Sequence, residues 1–155
     1  MKQYVIRGNG SELLFFVSDN VETRAYIKIK VKSNHSHNYW AHFECFSANI
    51  FNEDNYVFTG EGIFHIGEEE IKLFANKIKN LYDTLSGTVK ILDKWGKSYI
   101  QFNANKKGEI YINIFIIDDW HKKINEVEHT LKSSFMVDQT MIKDFVESFY
   151  KDITN

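Results

Sequence analysis

The chain has 155 residues, 43% of them hydrophobic and 26% charged, with a formal charge of −2 from 19 basic and 21 acidic side chains. That length fits one domain able to bury about two-thirds of its unfolded surface, and the charge balance argues against a general nucleic-acid binder. A single cysteine excludes an internal disulfide, and no apolar run reaches the roughly 18 residues of a membrane helix. No basic segment leads into an apolar run and a cleavage site, so a soluble cytoplasmic protein is expected.

Aromatic residues make up 15% of the chain and proline is absent, which favours strands joined by Gly, Asn, Asp and Ser turns. "QYVIR" (3–7) reads as a strand, "RGNGSE" as a turn and "LLFFV" (13–17) as a second strand. "RAYIKIKVK" (24–32) alternates cleanly: Ala25, Ile27, Ile29 and Val31 point one way, Tyr26, Lys28, Lys30 and Lys32 the other. Period two with a charged face predicts a half-buried antiparallel strand. "SNHSHN" is expected to be a polar connection into a long strand, "YWAHFECFSANIF" (39–51), so that the two strands form a hairpin. "YVFTGEG" (56–62) is a short strand ending in glycines.

The period then changes. Ile71, Phe74, Ala75, Ile78, Leu81, Tyr82 and Leu85 form one stripe of an amphipathic helix, with Glu68, Glu69 and Glu70 at its positive end. Gly87 is placed to close that helix in a left-handed cap. A meander follows: "TVKILDKW" (88–95), "SYIQFNA" (98–104) and "EIYINIFII" (109–117), the last two joined by "NKKG". "DDWHKKINEVEH" (118–129) is a charged connection, and "TLKSSFMV" (130–137) is a further strand. A second helix starts near Gln139, with Asp138 as N-cap and Ile142, Phe145, Val146, Phe149, Tyr150 and Ile153 on its apolar stripe. The pattern is that of one α+β domain, with about seven antiparallel strands and two amphipathic helices packed on the sheet.

Two stretches hold candidate functional residues. "SNHSHNYWAHFECF" (33–46) gathers His35, His37, His42, Glu44 and Cys45. On a strand from Tyr39, Trp40, His42 and Glu44 share one face, while Ala41, Phe43 and Cys45 share the other. Cys45 then faces away from the other ligand types, and no CxxC or helical His pair completes a zinc site. The cluster reads as loop histidines beside an outward strand face. A metal-binding protein or metal-dependent enzyme centred on His35, His37, His42 and Glu44 is the alternative. In the other stretch, Asp118, Asp119 and Trp120 have the composition of an interface anchor with a charged rim. The competing expectation folds Trp120 back onto the core. Cys45 fits a buried thiol, no GxSxG motif is present, and "RGNGSE" lacks the GKS/T ending of a phosphate loop. No catalytic residue, metal ligand or cofactor is assigned.

"FTGEGIFHIGEEEIKLFANKIKNLYDTLSGTVKI", then "YIQFNANKKGEIYINI", then "FMVDQTMIKDFVESF" resembles the WapI-type immunity proteins. The order is an amphipathic helix ending in L-x-G, a strand, a strand, a Gly turn, a strand, then F-x-x-D-Q-T-x-(aliphatic) opening a C-terminal helix. Here those positions are Leu85, Gly87, Gly108, Phe135, Asp138, Gln139, Thr140 and Ile142. The resemblance runs over most of the chain, from about Asp19. It implies a non-catalytic bacterial immunity protein that neutralises the C-terminal domain of a contact-dependent WapA/Rhs-type toxin, often a nuclease. The partner would be that toxin domain, with no direct nucleic acid and no membrane. The candidate contact residues are Trp40, His42, Glu44, Asp118, Asp119 and Trp120.

Overall fold

The structure is a computed structural model that describes residues 2–8, 11–17, 26–35, 50–51, 56–93, 97–118 and 129–155. In chain order the elements are β1 (Lys2–Arg7), β2 (Ser11–Val17), β3 (Tyr26–His35), β4 (Ile50–Phe51) and β5 (Tyr56–His65). Then come α1 (Glu68–Thr84), β6 (Gly87–Leu92), β7 (Tyr99–Ala104), β8 (Glu109–Asp118), β9 (His129–Asp138) and α2 (Gln139–Thr154). The class is α+β and mainly sheet. The strands form two antiparallel sheets, β1-β2-β3-β5-β4 and β6-β7-β8-β9, so the expected count of about seven strands is not what is found.

The first sheet departs from expectation at β3. Its partners are β2 and β5, and with β5 it pairs from Tyr26↔His65 to His35↔Tyr56. The expected hairpin of 24–32 with 39–51 is not formed by the described residues. Of that long predicted strand, Ile50 and Phe51 are described, and they pair with Val57 and Tyr56 on the far side of β5. The reason is length: β5 runs on through Gly60 and Gly62 to His65 and offers β3 an unbroken ladder. Ladder pairing outweighs the weak strand preference of glycine. β3 also reaches His35, which was expected in a connection.

Both helices follow the predicted stripes. In α1, Ile71, Phe74, Ala75, Ile78 and Leu81 are buried; in α2, Ile142, Phe145, Val146 and Phe149 are. The cap of α1 is a correction. Leu85, not Gly87, takes the left-handed conformation at φ 51°, and its N–H donates to the Leu81 carbonyl at 2.8 Å. Gly87 also has positive φ, 91°, but it opens β6 two residues later. Leu85, expected as the last residue of the apolar stripe, is thus the cap itself, and Gly87 follows it after Ser86.

α1 lies against α2 and against β6 and β7, while α2 lies against β1 and β9. One core results. Phe149 meets Tyr4 of β1 at 5.0 Å, Phe74 of α1 at 5.6 Å and Phe145 at 5.3 Å between ring centroids. Phe15 of β2 meets Phe145 at 5.2 Å, and Phe74 meets Phe102 of β7 at 5.8 Å. The aromatic cluster thus joins both sheets through the helices. Each fully buried ring contributes about 1.5–3 kcal/mol by leaving water.

Gly108, Asp138, Gln139 and Thr140 meet at one structural node. Gly108, at φ 81°, closes the β7–β8 turn, and its carbonyl accepts the Gln139 N–H at 3.0 Å. Asn105 braces the turn by accepting the Lys107 and Glu109 N–H groups through its side-chain oxygen. Asp138 caps α2 by accepting the Met141 N–H at 2.9 Å and the Thr140 hydroxyl at 2.5 Å. The hydroxyl bond, then the amide bond, hold the Asp138 carboxyl below its ordinary pKa. A lowered folded pKa adds stability that is fully present above the unfolded value and is lost as pH falls through the folded one. The melting temperature of the wild type should therefore exceed that of Asp138→Asn near neutral pH, because asparagine keeps a cap but no charge. That margin should shrink in acid below the usual carboxylate range. A margin constant with pH would remove the charge from the account.

Ser98 is the one buried polar side chain among the described residues, at 2% exposure. Its hydroxyl accepts the Ile117 N–H at 2.9 Å and faces the Ile117 carbonyl at 3.4 Å, tying the start of β7 to the end of β8. Removing it strands a backbone donor. Ser98→Ala is expected to cost about 1–3 kcal/mol in urea unfolding. A cost under about 0.5 kcal/mol, the usual surface value, would mean the amide finds another partner.

Candidate functional site

The second sheet buries one face and displays the other. Val89, Ile91, Ile100, Phe102, Val137 and the even-numbered residues Ile110 to Ile116 point into the core. The opposite parity faces outward, and the strand register arranges it in cross-strand rows. One row is Leu92, Tyr99, Phe115 and Lys132; the next is Lys90, Gln101, Asn113 and Ser134; the third is Thr88, Asn103, Tyr111 and Met136.

The first row is aromatic with cationic flanks. Tyr99 and Phe115 stack at 5.5 Å and 29°. The Lys90 ammonium sits 4.2 Å from the Tyr99 ring centroid, and that of Lys132 lies 5.7 Å from the Phe115 ring. Such contacts hold a lysine head over a ring face while its stem covers apolar surface. The second and third rows are bonded within and between themselves: Thr88 donates to the Asn103 oxygen at 2.7 Å, Gln101 to the same oxygen at 3.1 Å, and Ser134 to the Asn113 oxygen at 2.6 Å. These bonds fix the side chains in place before any partner arrives, which lowers the ordering cost of association.

Large apolar groups stand out of this ordered surface. Leu92 is 58% exposed, Tyr111 45% and Met136 44%. Scattered exposed hydrophobics are ordinary; here Leu92 adjoins the aromatic pair in the first row, while Tyr111 and Met136 are neighbours in the third, with the polar second row between them. Within the three rows the charged side chains are Lys90 and Lys132; Glu109 and Asp138 pair beyond them at the end of the sheet. Aromatics, methionine, amides and two lysines, without a nucleophile beside a base, make a surface suited to binding.

Most of the sequence-predicted site residues are not among those described. Trp40, His42, Glu44, Asp119 and Trp120, together with His37 and Cys45, lie outside the described residues. Asp118 ends β8, opposite His129 across the hairpin, and His35 ends β3 opposite Tyr56. Among the described residues no three of His, Cys, Asp and Glu converge where a metal ion could sit. No described helix is long and apolar enough to cross a membrane. The outer face of the second sheet was not singled out from the sequence. Its signal was present in the parity of "YIQFNA" and "YINIF", where aromatics and amides share the face opposite the isoleucines.

No protein-family model matches the chain, and neither does any curated protein or solved structure.

Proposed function

We propose that this chain is a non-catalytic immunity protein that binds and neutralises the C-terminal toxin domain of a cognate contact-dependent toxin of the WapA/Rhs kind. A nuclease domain is the expected partner, and the cytoplasm is where the pair would meet. The resemblance of the α1, β7–β8 and α2 segments to WapI-type proteins motivates the family. The observation that carries the binding role is the outer face of the second sheet, where Leu92 stands exposed beside the Tyr99–Phe115 stack and Tyr111 and Met136 stand exposed two rows away. Interfaces concentrate their energy in a few large side chains on a preordered surface, and this face has that composition.

Of the residues behind the resemblance, Gly108, Asp138, Gln139 and Thr140 are engaged in turn and cap bonds. They supply the scaffold, so selectivity for one toxin would reside in the exposed rows. Blocking would be steric: a partner seated on the sheet face would have its own active site covered. Trp40, His42, Glu44, Asp118, Asp119 and Trp120 remain candidate contacts and enter the same test as alanine variants.

The gene neighbourhood gives a first check, since a large repeat-containing toxin gene should adjoin this one. The biochemical test is co-purification. The tagged chain should retain the isolated C-terminal domain of that toxin at one-to-one stoichiometry. Failure to retain it, with both proteins folded, would refute the proposal.

A further inference from the structure

The hydrogen bonds of the outer face have a direction. A carboxamide accepts through its oxygen at one end and donates through its nitrogen at the other. The Asn103 oxygen is taken twice, by the Thr88 hydroxyl at 2.7 Å and by the Gln101 nitrogen at 3.1 Å. The Asn113 oxygen is taken by the Ser134 hydroxyl at 2.6 Å. Neither asparagine nitrogen has a partner among the described residues. The group is planar, so holding its oxygen fixes where its N–H groups point. The acceptor ends are thus spent within the sheet, and the donor ends are left over.

Asn103 and Asn113 sit on β7 and β8, the inner strands of the second sheet, and both are half-buried. Asn113 lies between the row of exposed Leu92 and the row of Tyr111 and Met136, and Asn103 adjoins Tyr111 directly. A partner that covers those apolar side chains also excludes water from the donors between them. An N–H sealed from water without an acceptor offsets much of what the burial contributes. The lysine heads of this face lie over the Tyr99 and Phe115 rings, so the asparagine donors themselves are neutral. A neutral carbonyl is the matching acceptor, since a desolvated carboxylate needs a countercharge as well.

Given a toxin domain seated on this face, we propose that Asn103 and Asn113 select it by reading uncharged carbonyl oxygens on its surface, with donors held in place before contact. A toxin with carbonyls at those points gains hydrogen bonds at little ordering cost. One that presents N–H groups or apolar side chains there strands the donors and is rejected. The apolar anchors supply affinity, and the carboxamides supply the choice of partner.

The test has one arm without the toxin and one with it. In the free chain, nuclear magnetic resonance relaxation of the side-chain amides should give Asn103 and Asn113 order parameters above about 0.6, toward the rigid-backbone value of about 0.85. A value below about 0.6 at either would overturn the proposal, because a donor that swings freely selects nothing. Calorimetric titration then compares the C-terminal domain of the adjacent toxin against wild type, Asn103→Ala, Asn113→Ala and Asn113→Asp at low and high salt. Each alanine variant should bind about tenfold more weakly. Asn113→Asp should bind about 100-fold more weakly or worse, because its oxygens would face a toxin oxygen. Melting temperatures should stay within about 3 °C of wild type, as for other surface changes. The alanine losses should be equal at both salt concentrations; losses that fade in high salt would assign carboxylates and overturn the uncharged match. Unchanged affinity of either alanine variant, or wild-type affinity of Asn113→Asp, would overturn the proposal and leave the toxin reading intact. No binding by the wild type would remove that reading and this assignment with it.

Discussion

Truncation of Phe149 to alanine is expected to destabilise the protein by about 3–5 kcal/mol. The ring is fully buried and touches Tyr4 of β1, Phe74 of α1 and Phe145 one turn away. Tyr4 belongs to the first sheet, and Phe74 in turn packs on Phe102 of the second. Losing Phe149 therefore removes transfer free energy and opens a cavity where both sheets meet α2. The neighbours come from separate elements, so the site cannot easily collapse. Against a total stability of about 5–15 kcal/mol this is a large fraction. The melting temperature should fall by roughly 6–20 °C for a chain of this size. Leu73, 53% exposed on α1, is the control: Leu73→Ala should change stability by about 0.5 kcal/mol or less. Urea unfolding with an unchanged slope checks both. A cost for Phe149→Ala below about 1 kcal/mol would mean the two sheets do not share one core.

The combined substitution Leu92→Gln, Tyr111→Gln and Met136→Gln should have the opposite profile. All three side chains lie on the outer face and are about half exposed. Surface changes of this kind cost little, so unfolding should move by no more than about 1 kcal/mol in total. Binding should change far more. Central apolar and aromatic anchors typically cost about 2 kcal/mol or more each when removed, and about 1.4 kcal/mol is a tenfold change in affinity. Loss of two such anchors would weaken a toxin complex at least about 100-fold. Calorimetric titration against the toxin domain reads this directly. Unchanged affinity would move the interface off this face.

The local elements were largely legible because their periods differ. Ile71, Phe74, Ala75 and Ile78 recur at helical spacing and are buried, and the isoleucines of "EIYINIFII" alternate and are buried on one side. Asp138 could be placed as a cap because an acceptor just ahead of an apolar stripe has one obvious use. Pairing was harder to read. Nothing in "RAYIKIKVK" says whether its neighbour is the next strand or the one after, and the ladder that formed skips to β5. The division into two sheets is likewise a long-range choice, made by which faces close around Phe145 and Phe149. The left-handed residue at the end of α1 is a leucine, which propensity alone would not choose over a nearby glycine.

The candidate surface was hidden for a related reason. Tyr99, Phe115, Tyr111 and Met136 are spread over three strands and become neighbours only when the register is known. The sequence instead drew attention to residues adjacent in the chain, such as His42 and Glu44, because local clusters are the ones a linear reading can see. The most specific part of the resemblance to immunity proteins was the D-Q-T step at Asp138. With Gly108 it is explained by a turn hydrogen bonded to a helix start, which is a requirement of the fold.

We propose that this chain protects a cell by seating a toxin domain on the outer face of its second sheet. Growth of cells expressing the C-terminal domain of the adjacent toxin, with either the wild-type chain or the Leu92→Gln, Tyr111→Gln, Met136→Gln variant at equal abundance, tests it most directly. The wild type should restore growth and the variant should not. Failure of the wild type to rescue would contradict the immunity function, and full rescue by the variant would contradict the assigned face.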